Sequence, residues 1–181
     1  MRVDLDRATQ AVRVATEFDW TWTIEDLPGF TERLGWQLSD IDQLAPKITT
    51  DFDINRTDAT AFLDRVGQHG AARALDAIWF YASDVVLDDP SVEPAMSEAF
   101  EELAQRVFEA VGQRPTGAWT KPTRGLRWDL RQVAIKIATD GEAVEVRLIS
   151  PAHQAWNDEN DRQLEEEQDL DSGTGRVWHF D

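Results

Sequence analysis

Leu126-Arg127-Trp128-Asp129-Leu130-Arg131-Gln132-Val133-Ala134-Ile135-Lys136-Ile137-Ala138-Thr139-Asp140-Gly141-Glu142-Ala143-Val144-Glu145-Val146-Arg147-Leu148-Ile149 is the stretch that decides the fold. In its first run Leu126, Trp128 and Leu130 alternate with Arg127, Asp129 and Arg131. In its last run Val144, Val146 and Leu148 alternate with Glu145 and Arg147. A period of two is the pattern of a half-buried strand. Asp140-Gly141 between the last two runs is a hairpin signal, because a type I′ turn needs positive φ at both central residues. The stretch therefore predicts a three-stranded antiparallel meander with one face on a core. Its other face carries Arg127, Asp129, Arg131, Lys136, Glu145 and Arg147.

Working outward, Asp4 is placed to cap a helix over residues 5–18, with Leu5, Ala8, Val12, Ala15 and Phe18 as its apolar stripe. A second helix fits residues 25–34, stopped by Gly35, and a strand begins at Trp36. Alternation returns over residues 47–54, where Ile48, Thr50, Phe52 and Ile54 oppose Thr49, Asp51 and Asp53. Residues 59–66 fit either a strand or a short helix. A turn at Gly67-Gln68-His69-Gly70 leads to a strand over residues 73–82 that is apolar on both faces. Ser91 is placed to cap the clearest helix, residues 92–111, which Gly112 and Pro115 end. Residues 116–125 read as a loop. A polar helix follows from residue 152 to about 168, then a flexible acidic tail over residues 169–181. The order predicts one α+β domain over residues 1–168: a mostly antiparallel sheet with N-terminal helices, one long central helix and a C-terminal helix packed on it.

The charge is lopsided. There are 35 acidic residues against 18 basic ones, a formal net charge of −17. Nucleic acid is disfavoured, because its affinity comes mainly from Lys and Arg at phosphates. An anionic membrane surface is disfavoured for the same reason. The balance suits solubility and a basic protein partner. The chain has no cysteine, which removes disulfides, thiolate metal sites and cysteine nucleophiles. With no apolar signal core and no spanning run, the expectation is a cytoplasmic protein.

No motif carries chemistry. His69, His153 and His179 lie far apart without ligand spacing, so no metal is expected. There is no phosphate-binding glycine loop, no nucleophile elbow and no cofactor signature. Carboxylate pairs such as Asp51 with Asp53 and Asp88 with Asp89 arise by chance in so acidic a chain, and read as binding rather than catalytic groups. Aromatic residues beside acids suit a protein interface. Trp79 and Trp128 read as core; Trp119 and Trp156 stay open between core and contact.

The chain resembles a group of small actinobacterial proteins. The residues that carry the resemblance are Phe18-Asp19-Trp20-Thr21-Trp22-Thr23, Asp26-Leu27, Gly35-Trp36, Val111-Gly112-Gln113-Arg114-Pro115, Arg127-Trp128 and the polar residues 157–165. Relatives of that group are similar to immunity proteins encoded beside secreted toxins, among them the factor that blocks the NAD-hydrolysing tuberculosis necrotizing toxin. The resemblance implies a non-enzymatic monomer that binds and inhibits a cognate toxin domain in a 1:1 complex. An acidic secretion chaperone or adaptor is the alternative. The expected contacts are Asp51 and Asp53, the turn Gly67, Gln68, His69 and Gly70 entering a cleft, the loop residues Asp84, Asp88 and Asp89, and Trp119. The open face of the meander is less acidic than the chain as a whole, so the contact surface is expected among these loops instead.

Overall fold

A computed structural model describes residues 1–43, 45–64 and 73–173, with side chains through residue 164. In chain order, helices α1 (Leu5–Glu17) and α2 (Asp26–Leu34) precede strands β1 (Gln37–Ser39), β2 (Lys47–Thr49), β3 (Asp58–Leu63) and β4 (Leu75–Tyr81). A 3-10 turn at Pro90–Val92 leads into α3 (Glu93–Val111). Then come β5 (Gly117–Trp119), β6 (Arg124–Asp129), β7 (Ala134–Thr139), β8 (Val144–Ile149) and α4 (Pro151–Gly173). The fold is α+β, as expected.

All eight strands form one antiparallel sheet in the order β1-β2-β3-β4-β8-β7-β6-β5. The order has a simple origin. Each half of the chain runs helix first and then a four-stranded meander, and the last strands of the two meanders, β4 and β8, pair at the centre. α3 carries the chain from the centre of the sheet out to its far edge.

Helices α1, α2 and α3 cover one face, where the inward-pointing residues of alternate strand positions meet them. Phe30, Phe80, Phe100, Leu103, Trp128, Ile135 and Ile137 are fully buried there. Asp4 caps α1 by accepting from the Arg7 N–H, and Gly35 ends α2 in the left-handed region at φ 70°. Arg106 of α3 ion-pairs with Asp6 of α1 and Glu102 of its own helix.

Several local expectations are corrected. Asp89, not Ser91, caps the central helical segment; its Oδ1 accepts from the Ser91 N–H at 3.0 Å. The ambiguity over residues 59–66 resolves as strand β3 as far as Leu63, and residues 65 and 66 lie outside the described residues. The presumed loop over residues 116–125 contains edge strand β5, paired with β6. The strand expected over residues 47–54 pairs only at Lys47–Thr49, so Asp51 and Asp53 lie beyond it. The Asp140-Gly141 hairpin is not type I′. Thr139 pairs with Val144, leaving a four-residue connection in which only Gly141 has positive φ. There the Asp140 carboxylate accepts from the N–H groups of Glu142 and Ala143, at 2.9 and 3.2 Å. The last helix extends to Gly173, past the expected end near residue 168.

Candidate functional site on the open face of the sheet

Among the described residues, the face turned away from α1, α2 and α3 is covered only where α4 folds back over one end of it. There Ala77, Ala134 and Ile149 form a small second apolar cluster. Asp158 of α4 accepts from Arg127 Nη1 at 2.6 Å, and His153 Nδ1 lies 3.6 Å from Asp76. Among the described residues nothing covers the rest of the face.

Strand register sets what this face displays. Arg127 on β6 stands opposite Lys136 on β7, and Lys136 stands opposite Arg147 on β8. Arg147 in turn faces Trp79 on β4, which faces Thr60 on β3. One step along, Tyr81, Glu145, Ala138, Gly125 and Trp119 form a parallel row. Two rows thus cross the sheet, one with three cations and a tryptophan, the other with aromatic ends, a carboxylate and small residues between.

The aromatic side chains are organised by these rows. Trp79 lies between Phe62 and Tyr81, with ring centroids 6.4 and 5.3 Å away. The Arg147 guanidinium stacks over Trp79 at 5.2 Å, and that of Arg56 over Tyr81 at 5.3 Å. At the opposite side of the sheet Trp119 lies flat on Gly125. A Cβ at that position would come within 2.1 Å of the ring, so only glycine admits this packing. Trp119 Nε1 donates to Thr123 Oγ1 at 3.3 Å. Trp128 is core as expected, whereas Trp79 is half-buried on the open face. An apolar run on both sides of a central strand suggested burial on both sides, but no helix covers β4 here along its length.

Electrostatics differ along the face. Glu145 accepts from Arg147 at 2.8 Å, yet its partial burial pushes its carboxyl above the usual range, outweighing that arginine. Burial likewise lowers the ammonium of Lys136, helped by the nearby charge of Arg127. At the end of the sheet away from α4 the rim is acidic. A cavity of about 340 Å³ is lined by Asp88, Asp89, Glu93, Asp140 and Glu142. It shares Asp140 and Glu142 with a second cavity of about 330 Å³, whose walls include Trp79, Tyr81, Leu87 and Glu145. Leu87 is 65% exposed and Phe62 44%.

The residues singled out in the sequence fall into three places. Asp88 and Asp89 belong to the acidic rim, and Asp89 is held below the usual carboxyl range by Ser91. Trp119 lies on the open face. Asp51, Asp53 and Asp84 gather instead around the N-terminal segment. Asp51 accepts from Arg7 Nε and Asp53 from Arg2 Nη1, both at 2.8 Å. Asp84 is not a surface contact: it is 8% exposed and accepts from the backbone N–H groups of Arg2 and Asn55 at 2.7 Å each. Burial alone would raise the Asp84 carboxyl, but these hydrogen bonds outweigh it and hold it low. Gly67, Gln68, His69 and Gly70 lie outside the described residues. Arg127, Lys136 and Arg147 were placed on the open face by alternation, but the contact surface was expected elsewhere. Phe62, Tyr81 and Arg56 were not picked out as contacts, because the pairing of β4 with β8 that brings them to this face is not carried by local spacing.

Among the described residues no three His, Asp or Glu side chains are grouped to hold a metal ion, and no helix is long and apolar enough to cross a membrane. The sheet and its three helices coincide with the span of a known family model, residues 6–150. The chain belongs to a family of unknown function, DUF6301. The matched span ends at the residue after β8 and stops short of α4, so the family model contains the open face without the helix that caps one end of it here. No curated protein and no solved structure matches the chain.

Proposed function

We propose that this protein is an immunity protein, a stoichiometric binder that inhibits a cognate toxin domain in the cytoplasm. The observation that carries the reading is the strip Phe62–Trp79–Tyr81 with its stacked arginines, bordered by the acidic rim at Asp88, Asp89, Glu93, Asp140 and Glu142. Preordered aromatic and arginine side chains with a charged border are the anatomy of an interface hot spot. A sheet braced by helices on its far side costs little to order on binding. The acidic rim and the −17 charge favour a basic partner and fast association.

This reading moves the contact surface from where the sequence suggested it. Asp51, Asp53 and Asp84 are occupied by Arg7, Arg2 and backbone donors, so they hold the N-terminal segment rather than a partner. Asp88, Asp89 and Trp119 remain in the proposed surface. The test is co-expression with any secreted protein encoded beside this chain, assayed for toxicity. A 1:1 complex on a sizing column and silenced toxin activity are expected; an active toxin with no complex overturns the proposal. Trp79→Ala should weaken the complex by about 2 kcal/mol or more, as central aromatic anchors do. Circular dichroism would confirm that the variant still folds.

A further inference from the structure

Three cations, Arg127, Lys136 and Arg147, stand directly opposite one another on adjacent strands of a chain that has almost twice as many acids as bases. Like charges placed directly across a ladder destabilise a sheet. The two outer members are each neutralised. Arg127 donates to Asp129 at 3.0 Å and to Asp158 at 2.6 Å. Arg147 donates to Glu145 at 2.8 Å. The central member is not. Lys136 is half-buried and makes no ion pair or hydrogen bond among the described residues. Its Nζ lies 6.0 Å from the centroid of the Trp119 ring. A half-buried ammonium with no hydrogen-bonded counter-ion, flanked by two guanidinium groups, is costly to the sheet; the carboxylates of Asp158 and Asp161 on α4 attract it, but burial and the arginines outweigh them.

A cavity of about 270 Å³ opens at this ammonium. Lys136 and Arg147 line one side of it, Phe62, Ala77 and Ile149 supply an apolar floor, and His153 of α4 closes the end. Its one carboxylate, Asp76, is raised above the usual range by burial and lies 3.6 Å from His153. The cavity thus sets two cations, Lys136 and Arg147, against the single carboxylate of Asp76.

We propose that this cavity is a binding site for an oxyanion, a phosphate or carboxylate group, held by Lys136 and Arg147 with the adjoining part of the ligand on the apolar floor. Lys136 supplies up to three N–H donors and Arg147 a planar fork, the geometry that recognises phosphate and carboxylate oxygens. The volume admits a small molecule or one anionic side chain of a partner. The site stands whether or not the chain's partner is a toxin.

Thermal unfolding of the intact protein tests it, in sodium phosphate against sodium chloride at equal ionic strength, with phenyl phosphate as a second probe for the apolar floor. Phosphate is expected to raise the melting temperature above the chloride value, and phenyl phosphate to bind at least tenfold more tightly than phosphate. Lys136→Met should abolish both effects and raise the melting temperature in chloride, because it removes a charge whose burial outweighs its attraction to Asp158 and Asp161. Lys47→Met, at an exposed lysine paired with Asp40 on β2, should leave both effects in place. If Lys136→Met fails to fold, Lys136→Gln and Arg147→Met serve, each expected to weaken phosphate binding at least tenfold. Equal melting temperatures in phosphate and chloride overturn the site, as does phosphate binding that survives the loss of Lys136. A site that takes free phosphate with no gain from phenyl phosphate overturns the apolar floor. Displacement of phenyl phosphate by a tyrosine-phosphorylated peptide points to the anionic side chain of a partner as the source, and its failure to do so points to a small molecule.

Discussion

Replacing Asp84 by alanine leaves the backbone N–H groups of Arg2 and Asn55 without their acceptor in a part-buried setting. Unsatisfied donors of this kind are costly, so Asp84→Ala should lose about 3 kcal/mol in urea unfolding. Asp84→Asn, which keeps one acceptor oxygen, should lose less. Gly125 presents the opposite problem. An added methyl group would collide with the Trp119 ring, and overpacking costs about 1–3 kcal/mol. Gly125→Ala should therefore displace that ring, visible as a moved Trp119 indole N–H signal in an NMR spectrum. If the signal stays in place, the flat packing of Trp119 on Gly125 is wrong. Neither residue role follows from sequence position alone: Asp84 looked like one more surface acid, and Gly125 like part of a loop.

At the scale of elements, the legible parts were those with strong local periodicity. The alternation of Leu126, Trp128, Val144, Val146 and Leu148 placed β6 and β8, and the three-and-four spacing of Met96, Phe100, Leu103 and Val107 placed α3. The buried side of α3 is so central that Leu103→Ala should cost about 3 kcal/mol. The missed parts have physical reasons. β5 is three residues long and ends just before Lys121-Pro122-Thr123, too short to show a period. The Asp140 side chain replaces a type I′ turn by closing a longer one. The rows on the open face depend on β4 meeting β8, residues far apart in the chain, and no local pattern reports that pairing. α4 adds little to the main core, so ending the chain after Ser150 should still give a cooperatively folding protein. The loss should be roughly 2 kcal/mol, set by uncovering Ile149 and its neighbours.

For the whole molecule, charge and pH act together. Asp4 and Asp84 are held low by their hydrogen bonds despite burial. Their stabilisation is present above the unfolded carboxyl range, near pH 4, and is lost as pH falls through their lower folded values. Glu145 and Asp76 behave oppositely, because burial raises them. The folded state binds their protons more readily, so the cost of charging them fades as pH falls toward their folded values. Stability measured by urea midpoints should rise from neutral pH into the mildly acidic range and then drop below about pH 4. A profile that falls steadily from pH 7 would contradict this assignment. Association with a basic partner, steered by the −17 charge, should slow as salt rises beyond about 0.15 M. A rate indifferent to salt would shift the weight to the Phe62–Trp79–Tyr81 strip.

The halved layout of the sheet has a consequence for how the chain could be assembled. Within each half the strands are neighbours in sequence, and the halves meet mainly along the β4–β8 seam and where α1 packs on α3 and β8. A break in the exposed loop at Asp88–Asp89 would cross no strand pairing. Two peptides, residues 1–88 and 89–181, should each be poorly ordered alone, because each leaves a central strand and one side of a helix pair bare. Mixed, they should dock along the seam and regain the strand and helix signals of the intact protein, so the molecule would serve as a split reporter whose reassembly centres on the β4–β8 pair.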